Sequence, residues 1–114
     1  MIYYSNIIYM NFQKYLTAIN IDPNLYLKIA KNTAKIQGYN PELLHFSTND
    51  KYKLNYNGIN FGANGYNDYV VYSILYDNGY AELKRLNYKK RAYKVFINES
   101  NPESKSHLSW FILW

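Results

Sequence analysis

The 114-residue chain has no cysteine. Disulfide frameworks, zinc-finger sites and thiol catalysis are therefore excluded. Proline occurs three times and glycine five, and those positions mark the turns read below. No apolar run approaches the roughly 18 residues that a spanning helix needs, so no membrane span is expected. The N-terminal stretch MIYYSNIIYMNF lacks the leading positive charges and small-residue cleavage pattern of a secretion signal, which predicts a protein that is not secreted. Met10 is an alternative start. There are only two histidines, His45 and His107, and no acidic cluster. No nucleophile–base–orienter set, metal site or cofactor motif stands out, and a lone histidine near apolar residues is a structural feature. The chain reads as non-enzymatic, without metal or cofactor.

What is present is enough apolar material, 48% of residues, for one packed domain. Tyrosine is used 15 times and asparagine 16 times. A/T-rich codons account for that bias, and tyrosines gathered on one face would also serve as stacking platforms for bases. The net charge of +5 is localised. Residues 81–94, AELKRLNYKKRAYK, hold six basic residues against Glu82 alone, while the rest of the chain carries seven basic and seven acidic residues.

The spacing predicts a short helix over residues 11–19. A second begins at Asp22-Pro23, a capping residue followed by proline at the first helical position. Leu25, Ile29 and Ile36 fall on one face of it, flanked by Ala30 and Thr33. Gly38 follows where a left-handed C-cap belongs. Asn40-Pro41 marks a turn, and LLHFS at 43–47 is a strand or one helical turn. KYKLNYN then alternates Tyr52, Leu54 and Tyr56 against Lys51, Lys53 and Asn55, and Asn57-Gly58 is a strong hairpin signal. The next segment is open. DYVVYSILY is a strand by propensity, or a helix capped by Asp68. In the strand case, Asp77-Asn78-Gly79 would be a second hairpin turn. From Tyr80 to about Val95 good helix formers predominate, with Leu83, Leu86 and Tyr93 along one stripe and Lys84, Arg91 and Lys94 pointing elsewhere. NESNPESKS reads as a linker over about 98–106, followed by an apolar tail at 107–114.

Three features bear on function. Gly62-Ala-Asn-Gly65 has neither the Lys-Ser/Thr of a phosphate-binding loop nor GxGxxG, and it follows a hairpin, so it reads as a bend held by positive φ. The basic segment is the clearest functional signal. Lys84, Arg85, Lys89, Lys90 and Arg91, interleaved with Tyr88, suit phosphate contacts; the partner is nucleic acid, an acidic protein face or an anionic membrane surface. The tail concentrates both tryptophans, Trp110 and Trp114, around Phe111, Ile112 and Leu113. Burying each large side chain is worth roughly 1.5–3 kcal/mol, so the tail must dock, on its own domain or on a partner.

Taken together, FGANGYNDY after a Lys-Tyr strand, KRxxYxxR in a helix, and SHLSWFILW at the end resemble a family of small basic proteins of unknown function. That family is encoded by large nucleocytoplasmic DNA viruses, the mimivirus and phycodnavirus group. Lys51, Tyr52 and Lys53 match its strand, and Phe61, Gly62, Gly65, Tyr66, Asp68 and Tyr69 its glycine motif. Arg85, Tyr88 and Arg91 match its basic helix, and Leu113-Trp114 its end. The resemblance spans residues 38–114, and Ala92 stands where family members often carry histidine. It implies a viral origin, a virion-associated role and a location in the virion or host cell, and it supplies no activity.

The expectation is one small α+β domain: N-terminal helices over 1–37, a central β-hairpin, a basic C-terminal helix and a docked aromatic tail. It would engage an acidic partner, DNA first among them, through the basic helix. The rival is a minor capsid or scaffold protein that binds other viral structural proteins through the Trp-rich tail and tyrosine faces.

Overall fold

The computed structural model describes residues 11–114, so Met10 and the stretch before it lie outside the described residues. Helix α1, Phe12–Ala18, starts where the Asn11 side chain accepts a hydrogen bond from the Lys14 amide. Asn20, at φ 65°, turns the chain into α2, Pro23–Ile36. Asp22 caps α2 through the Asn24 amide at 2.9 Å. At its other end Gly38 takes φ 92°. The amides of Gly38 and Tyr39 return to the carbonyls of Lys35 and Ala34, the paired closure that a left-handed C′ residue permits.

The buried face of α2 differs from the expected one. Tyr26, Ala30 and Ala34 line the core, Ile29 is half-buried, and Leu25 and Ile36 are exposed. Small alanines let α2 approach closely, and one tyrosine supplies the bulk that the aliphatic residues do not.

After a 3₁₀ turn at Pro41–Leu43 come strands β1, Leu44–Phe46, β2, Tyr52–Tyr56, and β3, Ile59–Ala63. They form an antiparallel sheet in the order β1-β2-β3. Tyr56 pairs with Ile59 across Asn57 at φ 49° and Gly58 at φ 89°, the two positive φ angles of a type I′ turn. Leu54, Tyr56 and Phe61 enter the core.

The segment after the hairpin is helical. Asp68 caps α3, Tyr69–Leu75, by accepting from the Val71 amide at 3.0 Å. Its β-branched residues are compatible with a helix because Val70 and Val71 are buried by tertiary packing. Asp77-Asn78-Gly79 is accordingly no hairpin turn. Asp77 caps α4, Asn78–Asn98, through the Tyr80 amide at 2.9 Å. After residues 99–104, Ser104 caps a short α5, Lys105–Leu108, which runs into a wide turn over Ser109–Leu113. That turn closes with the Trp114 amide on the Ser109 carbonyl, 3.1 Å away.

The chain is thus a single α+β domain. Its core joins Phe12, Leu16, Tyr26, Leu44, Leu54 and Phe61 to Leu108, Ile112 and Leu113 of the C-terminal end. Among the described residues, no helix is long and apolar enough to cross a membrane.

Among the described residues two charged side chains are buried against this core. Lys53 on β2 is 3% exposed and Asp68 1%. Lys53 belongs to the polar side of the alternating strand, yet that side is covered too. Its ammonium donates to Asp68 Oδ2 at 2.8 Å, and the Tyr26 hydroxyl donates to the same oxygen at 2.6 Å.

Candidate functional site

The 21 residues of α4 present two different sides. Ala81, Arg85, Tyr88, Ala92 and Phe96 recur at spacings of three and four, and this side faces the domain: Ala81 is buried and the others are half-buried. The stripe of Leu83, Leu86 and Tyr93 lies on one side as expected, but it is the outer side, continued by Ile97, with every member more than half exposed. The inner stripe prevails because it carries the rings that the C-terminal turn can cover. Phe96 stacks on Trp110 with centroids 4.0 Å apart and planes at 13°, and Tyr88 stacks on Trp114 at 4.5 Å and 6°. His107 is part of this packing, 4.5 Å from the Phe96 ring and with Nδ1 3.1 Å from the Ser104 hydroxyl. Within this chain the tail therefore docks on its own domain.

This docking leaves a groove on each side of the stacked rings. The larger, about 450 Å³, lies between α4, the C-terminal turn and the turn that follows β3. Lys84, Asn87, Tyr88 and Arg91 line it from α4, Leu113 and Trp114 from the C-terminal turn, and Gly62, Ala63, Tyr66 and Asn67 from the end of β3 and the turn after it. The smaller groove, about 220 Å³, is lined by Arg85, Lys89, Trp110, Phe111 and Ile112 with Tyr69 and Ser73 of α3. Basic helix and aromatic tail, separate in the sequence, make one surface.

The six residues of the basic segment singled out from the sequence do not act alike. Arg85 is engaged: its guanidinium meets Glu82 at 3.0 Å and lies 3.6 Å over the Tyr69 ring, while the Tyr69 hydroxyl donates to Glu82 at 2.8 Å. Lys89 sits 5.0 Å from the centre of the Trp110 ring. Partial burial lowers its ammonium pKa, neighbouring Arg85 lowers it further, and Glu82 opposes both. Lys90 is exposed between Leu86 and Tyr93 on the outer side. Lys84 and Arg91 reach the larger cleft, Lys84 within 5.3 Å of the Tyr80 ring centre and 5.8 Å of Tyr72's. Tyr88 forms the wall between them.

Among the described residues no Asp or Glu side chain lines the larger cleft, and its third cation, Lys53, is paired with the buried Asp68. Burial raises the phenol pKa values of Tyr72 and Tyr88, with Lys84 and Arg91 respectively acting in the opposite direction. Both stay neutral near pH 7 and add no negative charge.

Gly62 is more than a bend. It holds φ 77°, and a Cβ there would meet Leu113 Cδ1 at 2.7 Å. The missing side chain lets the C-terminal turn pack against β3 and line the cleft. Gly65, at φ 99° over open space, serves the bend alone. Sequence reasoning did not place Tyr66, Asn67, Tyr72, Asn87 or Ser109 in a site. The signal for Tyr66 and Asn67 was their position in the glycine turn. No family model, curated protein or solved structure matches the chain.

Proposed function

We propose that this chain is a non-enzymatic nucleic-acid-binding protein of a large DNA virus, associated with the virion, with DNA as its acidic partner. The observation that carries the binding is the larger cleft. Lys84 and Arg91 line a concavity that has aromatic rings and, among the described residues, no acidic side chain, which is the combination that recognises phosphate next to bases. Lys89, beside the Trp110 ring, adds a cation on the smaller groove, where Arg85 is already paired with Glu82. The viral and virion part of this reading rests on the resemblance of the Phe61–Tyr69 and Arg85–Arg91 motifs.

The test is fluorescence anisotropy with labelled DNA across a salt series, comparing the wild type with a Lys84→Gln/Arg91→Gln variant. Losing two phosphate contacts reduces the log–log salt slope by about 1.4 for a single strand or about 1.8 for a duplex. Binding with an unchanged slope in the variant would remove these two residues from the interface.

One observation favours a second reading, a capsid or scaffold protein. Leu83, Leu86, Tyr93 and Ile97 form an exposed apolar stripe, a better subunit contact than the docked tail. Sedimentation velocity at rising concentration separates the readings: self-association abolished by Leu86→Glu favours the second.

A further inference from the structure

We infer that the cleft between α4 and the glycine turn takes single-stranded nucleic acid, with an unpaired base stacked on Tyr66 and the flanking phosphates on Lys84 and Arg91. This rests on the nucleic-acid reading above and narrows it.

The shape of the surface favours a single strand. A duplex turns phosphates outward and keeps its bases stacked inside, so it needs cations on an open surface. The outer side of α4 interleaves its cations with exposed apolar side chains: Lys90 with Leu86 and Tyr93, and Lys94 with Val95 and Ile97. Lys84 and Arg91 instead line a cleft of about 450 Å³, within the range of sites that enclose a small organic group. They are two helical turns apart on α4, about 10.5 Å along its axis, so a strand entering here meets cations on both sides of one base.

Tyr66 supplies the stacking surface. Its ring is 70% exposed on a turn that the positive φ angles of Gly62 and Gly65 hold out from the sheet. No ring among the described residues packs on it, whereas in the same cleft Tyr88 and Trp114 are stacked on each other and Tyr72 meets Tyr80 edge-on and Trp114 at a tilt. An exposed aromatic ring in one cleft with two cations is the combination that binds single strands through stacking and phosphate contacts with little regard to sequence. Two side-chain amides complete the cleft, since Asn87 and Asn67 line the same walls. The carbonyl of Asn67 is held by the Tyr15 hydroxyl, which fixes its amide group in the wall as a donor for a base edge.

The experiment measures binding of fluorescein-labelled dT12 and of a labelled 12-base-pair duplex to wild type and to Tyr66→Ala, with circular dichroism to confirm the fold. Tyr66 is a surface residue, so the variant folds. The expected result is that dT12 binds at least tenfold more tightly than the duplex, and that Tyr66→Ala weakens dT12 about tenfold while leaving the duplex unchanged. Duplex binding equal to or tighter than dT12 overturns the inference and leaves the broader nucleic-acid reading standing. A single-strand preference insensitive to Tyr66 also overturns it. If neither probe binds at low salt, both readings fall together.

Discussion

Lys53 and Asp68 meet in the core at 2.8 Å, both almost fully buried, and they tie β2 to the first turn of α3. The pair also orders the site, because Lys53 lines the cleft and Asp68 starts the helix that carries Tyr69 and Tyr72. Removing one partner of a buried pair costs about 3–5 kcal/mol, since it strands the other charge. Asp68→Ala should lose stability on that scale by urea unfolding. Lys53→Met should cost less, because Asp68 keeps the Tyr26 hydroxyl and the Val71 amide. Asp68→Ala within about 1 kcal/mol of wild type would contradict the network.

The three glycines at or after the hairpin should separate by cause. At Gly58 and Gly65 an added methyl group would meet only open space, and just their positive φ is at stake, so alanine should cost about 1–2 kcal/mol. Gly62→Ala adds the clash with Leu113 and should cost more. In the Gly62→Ala/Leu113→Ala double variant the two losses should be less than additive. Full additivity by thermal unfolding would show that the turn and the tail are not in contact.

The tail should be indispensable to folding. Leu108, Ile112 and Leu113 are all core residues, and each leucine truncated to alanine in a core costs about 2–5 kcal/mol. Deleting residues 107–114 should therefore give an unfolded chain by circular dichroism. A folded monomer lacking the tail would mean that the tail docks only peripherally.

Alkaline pH should unfold the protein in a predictable direction. Burial raises the Tyr26 phenol well above its ordinary value, and Asp68 beside it raises it further; Tyr39, Tyr72 and Tyr88 are also raised, burial being the main cause in each. In the unfolded chain these phenols ionise near pH 10, while the folded state holds their protons longer. Their contribution is thus complete below about pH 10 and is lost as pH rises through the folded values. Tyr26→Phe should flatten the decline in urea midpoint above that pH. An unchanged slope would contradict the role given to burial.

Local rules made much of the fold legible. Asp22-Pro23, Gly38 and Asn57-Gly58 announce their caps and turn through backbone chemistry that tertiary contacts do not alter. Residues 69–75 were ambiguous because β-branched propensity and an aspartate cap point to different structures, and packing decided for the helix. Lys53 was hidden by alternation: a strand covered on both faces breaks the rule that its polar side meets water. The orientation of α4 was unreadable for a related reason. Its aliphatic stripe is more regular, yet Tyr88 and Phe96 face inward because Trp110 and Trp114, over a dozen residues later, supply ring faces to meet them. The candidate site shared that fate. Its cations were visible in the basic run, but Tyr66 and Asn67, which line the same cleft, join them only through the fold.

The binding site is best tested by titrating isotope-labelled protein with dT12 and following backbone amide shifts in nuclear magnetic resonance. Shifts are expected at residues 62–67, at Lys84, Asn87, Tyr88 and Arg91, and at 113–114, with little change at Leu83, Leu86, Tyr93 and Ile97. Shifts confined to that outer stripe, or no shifts at low salt, would contradict a binding cleft between α4 and the glycine turn.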